Sequence, residues 1–222
     1  MAALKKLLSY LSPMNVGVYK GKVSPVLEVT YENGVKVLNA GRVNYSFGAL
    51  HKVFQIALNK IEIEKLQPQN ILILGFGVGS IASIIREEHG IDSPIVGVEA
   101  DQEVIALGVE QFETMEIPDC RILLAKAEEF IRNNTDKFDL IAVDVFVEEK
   151  VPVMCKTEEF LSGLKNALSA KGVVVFNEMP TYESLSLSSN AFEGRFRKVF
   201  PKSEIHSVKA GEEPNRIYVG RI

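Results

Sequence analysis

Three glycines at alternate positions, Gly75, Gly77 and Gly79, follow the apolar run Ile71-Leu72-Ile73-Leu74 and precede a stretch with apolar residues at 81, 84 and 85. This order predicts a strand buried on both faces, a tight turn and a helix. A turn that lays bare backbone against a ligand leaves no room for side chains, and glycine is the residue that fits it. The helix that follows offers unpaired N–H groups and the positive end of its dipole to the same ligand. A second apolar run, Ile95-Val96-Gly97-Val98, ends at Glu99, an acid placed to accept hydrogen bonds from ribose hydroxyls. Together the turn Gly75-Phe76-Gly77-Val78-Gly79-Ser80 and Glu99 point to binding of a nucleoside-like cofactor. The competing reading gives the glycines to close packing of helix on strand and leaves Glu99 as a solvated strand-end acid. Asp144 closes another apolar run, Phe138–Val143. It takes the substrate side of such a site, the cofactor's amino group, or a loop-capping role.

Other chemistries find little support. Cys120 and Cys155 are far apart and outside any CxxC pattern, which fits two buried thiols rather than a disulfide or zinc site. His51, His89 and His206 lack ligand spacing, so no metal is expected. A net charge of -4 argues against nucleic acid or an anionic membrane as partner. No apolar run is long enough to span a bilayer, and residues 1–12 carry Lys5 and Lys6 without a long apolar core or a cleavage site. A cytoplasmic protein is the expectation. With 222 residues, 46% hydrophobic and 24% charged, the chain suits one large globular domain or a domain with a small appendage.

The elements that must position these residues follow from periodicity. Leucines at 4, 7, 8 and 11 predict an amphipathic N-terminal helix, suited to packing on its own domain or on a partner subunit. Two β-rich runs flank Asn33-Gly34, a strong hairpin signal. Residues 47–66 read as a helix, and after the glycine turn strands alternate with helices: helix 102–112, strand 121–125, helix 127–132, strand 138–143, helix 157–168, strand 173–176 and helix 184–199. Thr157 is the expected N-cap of its helix. Such alternation implies a parallel sheet with right-handed crossovers. Residues 204–208 and 216–219 are two strands with no helix between them and must pair antiparallel. The expected division is 1–46, an N-terminal helix and β-hairpin region, and 47–222, the cofactor-binding domain.

Taken with the glycine turn, Glu99, the hairpin at 26–38 and the segment Phe138–Val143, Asp144, Val151-Pro152, Thr157-Glu158-Glu159-Phe160-Leu161, this layout resembles the spermidine synthase-like branch of the class I S-adenosylmethionine-dependent methyltransferase superfamily. The resemblance covers nearly the whole chain. It implies a Rossmann-like α/β fold, a seven-stranded mostly parallel sheet with a C-terminal antiparallel hairpin, preceded by a small N-terminal β-hairpin region. It further implies S-adenosylmethionine or its decarboxylated form as cofactor, held by Gly75, Phe76, Gly77, Val78, Gly79, Glu99, Ala100, Ala127, Glu128 and Asp144. Asp144 is then also the candidate catalytic residue, with Tyr45, Glu148 and Tyr182 on the substrate side. Glu149, Ser46 and His51 lie nearby in sequence. Related polyamine synthases place an acid where Val78 stands, a second catalytic-loop acid where Val147 stands and an adenine-contacting acid where Lys126 stands. Without a second loop acid an amine nucleophile lacks a general base and a cation anchor. The resemblance therefore favours methyl transfer to a small molecule, with an amine as one candidate, over aminopropyl transfer, and implies a homodimer. Two alternatives remain open: a catalytically degenerate binding module of the same fold, and a NAD-dependent oxidoreductase, since Gly75, Gly77 and Ser80 with Glu99 approximate a dinucleotide fingerprint.

Overall fold

The computed structural model describes residues 2–40, 43–147, 150–179, 188–209 and 214–222. Helix α1 (Ala2–Leu8) leads into β1 (Met14–Tyr19), β2 (Leu27–Glu32), β3 (Val35–Ala40) and β4 (Val43–Ser46), which form an antiparallel sheet in that order. Asn33 and Gly34 turn β2 into β3 with φ of 50° and 80°. Two successive positive φ values give the turn whose twist matches a hairpin, and Asn-Gly adopts them cheaply. The expected hairpin is thus the centre of a four-stranded sheet, because β1 and β4 add to its two edges. Ser9 pins α1 to this turn. Its carbonyl accepts from Asn33 N–H at 3.1 Å and its Oγ accepts from Gly34 N–H at 2.9 Å.

The predicted helix over 47–66 is two pieces, α2 (Gly48–Lys60) and α3 (Ile63–Leu66). Glu62 adopts the left-handed conformation at φ 54°, which no continuous α-helix allows. Next come β5 (Ile71–Leu74), α4 (Ser80–Ser83) running directly into a π-helical turn (Ile84–Glu88), β6 (Ile95–Glu99), α5 (Gln102–Phe112), β7 (Cys120–Leu124), α6 (Ala127–Asn133) and β8 (Phe138–Val143). The chain continues through α7 (Glu158–Ala167), β9 (Leu168–Glu178), α8 (Ser188–Val199), β10 (Lys202–Lys209) and β11 (Pro214–Arg221). Thr157 caps α7 as its type predicts, its Oγ1 accepting from Phe160 N–H at 3.2 Å.

The second sheet has seven strands in the order β10-β11-β9-β8-β5-β6-β7. Five of its strands, β9, β8, β5, β6 and β7, are parallel, and β11 runs antiparallel to both neighbours. All four residues of β5 are fully buried, as a strand covered on both faces requires. One face packs Ile71, Ile73, Ala142 and Val175 against Phe54 and Leu58 of α2 and Ile81 of α4. The other packs Leu72, Val143 and Phe176 against Ile131 of α6, Leu161 of α7 and Phe192 and Phe196 of α8. A third cluster joins Leu27, Val29 and Leu38 of the first sheet to Val78, Val104 and Leu107. The order of the second sheet reverses at β5. The crevice beyond the carboxyl ends of β5, β6 and β8 is where an open α/β sheet binds its ligand.

Candidate functional site

At the end of β5 the backbone is held open by three glycines, with φ of 80° at Gly75, 57° at Gly77 and 91° at Gly79. These values are costly for any residue with a side chain. Gly75 is also constrained from outside, since a Cβ there would lie 2.2 Å from the carbonyl oxygen of Asp144. The turn is tied to β6 through Val98, whose carbonyl accepts from Gly75 N–H at 2.9 Å and Phe76 N–H at 3.0 Å. Glu99 clamps it from above. One carboxyl oxygen accepts from Gly77 N–H at 2.9 Å, and the other from Ala100 N–H at 2.9 Å and Asp101 N–H at 3.0 Å. Burial raises the Glu99 carboxyl above the usual carboxylate range, against the pull of those three N–H groups. A carboxylate offers about four acceptor positions, so three donors leave room for one more.

Asp144 stands one residue beyond β8, beside the turn. Its N–H donates to Leu74 O at 2.8 Å, and its Oδ1 accepts from Asn177 Nδ2 at 2.9 Å. Desolvation, with Glu99's charge adding to it, raises its carboxyl to about 7. Two carboxyls at the ends of β6 and β8, the strands on either side of β5, one deep and one poised near neutrality, make a site suited to a cationic ligand and to uptake of a proton.

The remaining expected residues are placed as follows. Phe76 is buried, its ring lying over Gly97 where a Cβ would meet it at 2.3 Å; only its backbone reaches the turn. Val78 is buried under the first sheet. Ala100 is exposed beside Glu99. Ala127 is buried at the start of α6, and Glu128 follows it half-buried, with Cys155 Sγ 3.9 Å from its Oε2. Lys126 is exposed and pairs with Glu129 at 3.8 Å. Val147 closes a short bridge with Lys150 through backbone bonds of 2.9 and 3.1 Å. Glu148, Glu149 and Tyr182 lie outside the described residues, as does the side chain of Tyr45. His51 joins the helix after the glycine turn to α2. Its Nδ1 lies 2.8 Å from Ser80 Oγ and its Nε2 3.0 Å from Glu88 Oε1. Cys155 is buried but Cys120 is only partly so, at the edge strand β7, which corrects the expectation of two buried thiols.

Three side chains that sequence patterns did not single out complete the site. Asp101, fully buried, accepts from Glu103 N–H at 3.0 Å as the N-cap of α5 and from Val23 N–H at 2.8 Å. It thereby fixes the segment between β1 and β2 against the end of β6. An aspartate directly before a helical run was the available signal. Asn177 and Asn215 are joined to each other; Asn177 directly follows the apolar run Val173–Phe176, whereas Asn215 lies in a polar stretch that carried no signal. Among the described residues, no helix is long and apolar enough to cross a membrane, and no group of three His, Cys, Asp or Glu could hold a metal ion.

Comparison with known proteins gives this geometry a family. The spermine/spermidine synthase domain matches residues 51–209. A polyamine aminopropyltransferase of Vibrio vulnificus is 29% identical over 160 residues, 70% of this chain and 51% of that protein. An N-terminal histidine N-methyltransferase of Emericella nidulans is 31% identical over 152 residues, 65% of this chain and 25% of that protein. The chain thus spans about half the length, or less, of these curated relatives. The crystal structure of a probable spermidine synthase from Corynebacterium glutamicum superposes with a TM-score of 0.71 at 21% identity, covering 92% of this chain and 79% of that one. That likeness bears out the Rossmann-like sheet with its C-terminal antiparallel hairpin. Matched over more than half its length, the chain belongs to the spermine/spermidine synthase domain family.

Proposed function

We propose that the chain is a cytoplasmic transferase that binds S-adenosylmethionine at the carboxyl ends of β5, β6, β7 and β8 and passes its methyl group to a small-molecule nucleophile, an amine being the class that Asp144 suits. The observation that carries this reading is the clamp of Glu99 on the open glycine turn, with the Asp144 backbone against Gly75 and its carboxyl close enough to feel the charge of Glu99. The residues fit such a ligand. Gly75, Gly77 and Gly79 leave bare backbone for the methionine portion, Glu99 keeps acceptor capacity for ribose hydroxyls beside Ala100, and residues 126–128 border the adenine side. Asp144 contributes negative charge for the sulfonium or the amino group.

The sulfonium supplies an already activated carbon, so the acceptor's lone pair forms the new bond as the carbon–sulfur bond breaks to a neutral thioether, and the acceptor's proton is released. What the chain adds is alignment, exclusion of water and a place for that proton. Asp144, titrating near neutrality, is the group positioned to take it.

Methyl rather than aminopropyl transfer is favoured by Val78, which is packed among Leu27, Val29, Leu38 and Leu107 and offers no carboxylate at the turn. The second reading, aminopropyl transfer from the decarboxylated donor, is favoured by the names of the bacterial relatives. Leu4, Leu7 and Leu11 are exposed on the N-terminal arm, and a homodimer through that face is the assembly proposed; sedimentation equilibrium tests it. Isothermal titration with both donors tests the main reading. Tighter binding of S-adenosylmethionine supports methyl transfer, preference for the decarboxylated donor supports the second reading, and heat from neither sinks both.

A further inference from the structure

Asp144, Asn177 and the end of β11 meet on one face of the sheet. On that face Ile73, Ala142, Val175 and Val219 form an apolar row, each registered with the next and each buried. Two residues farther along their strands, at the carboxyl edge of β5, β8 and β9, the same face carries Gly75, Asp144 and Asn177. Asn215 lies on it too, two residues before Ile217, the registered partner of Asn177. The layer changes from hydrocarbon to polar within one row, at the level of the glycine turn.

Asn177 is fully buried and Asn215 is 7% exposed. A buried primary amide costs free energy unless its donors and acceptor are matched, whereas a leucine in the same place makes no such demand. Here the match runs one way. Asn215 Nδ2 donates to Asn177 Oδ1 at 2.9 Å, and Asn177 Nδ2 donates to Asp144 Oδ1 at 2.9 Å. Turning the Asn177 amide over would set its oxygen against the Asp144 carboxylate and its N–H groups against those of Asn215. The amide pair therefore presents a donor to Asp144, which favours its ionised form, and holds one of its two oxygens.

We propose that Asn177, itself oriented by Asn215, is a positioning residue that fixes one oxygen of the Asp144 carboxyl and leaves the other directed to the donor's sulfonium and the acceptor. This rests on the donor reading above. Among the described residues, the charged groups near Asp144 are few. Glu99, at the end of β6, is the like charge that bears on it. From α2 and the helix after the glycine turn come His51 and Ser80, bonded to each other, with Glu88 on the other ring nitrogen. Glu178 and Arg216 point to the opposite face by strand alternation, where Lys156 and Glu193 pair with them respectively.

The test is isothermal titration of the intact chain across about pH 5.5 to 8.5 with S-adenosylmethionine, whose sulfonium is positive, and S-adenosylhomocysteine, whose sulfur is neutral. The ammonium group is common to both, so the difference between them reads the attraction of ionised Asp144 for the sulfonium. The S-adenosylmethionine Kd should fall roughly tenfold as pH rises through the titration of Asp144, while the S-adenosylhomocysteine Kd changes little and Asp144→Asn abolishes the difference. In Asn177→Leu the midpoint should move up by about half a pH unit or more, because the lost hydrogen bond had favoured the ionised form. Asn215→Leu should move it the same way, by less. An unmoved midpoint in Asn177→Leu, with S-adenosylhomocysteine affinity retained, overturns the positioning role. Should that variant fail to fold, an unmoved midpoint in Asn215→Leu does the same. Binding of neither ligand at any pH overturns the donor reading itself, and the positioning role with it.

Discussion

Asp144 sits where folding and function make opposite demands. Its folded-state pKa, about 7, lies above the ordinary 3.8, chiefly because burial penalises the charge. The folded chain therefore holds this proton more tightly than the unfolded chain between those values. Its contribution favours folding most near pH 4, is lost as pH rises towards 7, and is constant above that. Glu99, also raised by burial, acts in the same sense. Asp144→Asn should flatten the stability curve over this window. At pH 8 it should raise the unfolding free energy by about 1–3 kcal/mol, allowing for the partial exposure of the residue. Urea unfolding at a series of pH values measures this. A carboxyl that costs stability at neutral pH is the kind of group kept for chemistry. The sequence showed Asp144 as a strand-end acid, but not its burial, its partner Asn177, or its contact with Gly75, because all three depend on neighbours far along the chain.

Among the elements, the glycine turn and its two flanking strands were legible because composition alone restricts them: glycine takes three positive φ values in so short a turn at the least cost, and an apolar run suits burial on both faces. The Asn33-Gly34 hairpin and the Thr157 cap were legible for the same local reasons. The edge strands β1 and β4 were not, since β1 is mostly half-exposed, carries a register shift between Asn15 and Gly17, and owes its place to pairing with β2. Nor was the break at Glu62, where helical periodicity continues across a left-handed residue. The segment between β1 and β2 is placed by Asp101, which serves both it and α5. Asp101→Ala should cost about 1–3 kcal/mol through the lost cap and the lost partner of Val23. Hydrogen exchange should then show the Val23 amide and the start of α5 losing protection while β5 and β8 keep theirs.

Across the whole molecule, the first sheet roofs the glycine turn through Val78. The matched family domain begins at residue 51, after that sheet. Val78, where the resemblance implies an acid, is in this chain part of an apolar seam between the first sheet and α5. Val78→Asp should lower stability by more than about 3 kcal/mol, since it buries an unpaired charge; an unchanged melting temperature would mean the seam opens readily and would reinstate the aminopropyl reading. The central claim is that Glu99 and the glycine turn hold a sulfonium nucleoside. Its most direct test is thermal unfolding of the chain with S-adenosylmethionine, decarboxylated S-adenosylmethionine, methylthioadenosine and NADH, repeated with Glu99→Ala. A sulfonium ligand at about a hundred times its Kd should add roughly 2.7 kcal/mol and raise the melting temperature by a few degrees, and the rise should vanish in Glu99→Ala. No rise with either sulfonium ligand, or a rise with NADH alone, would contradict the claim.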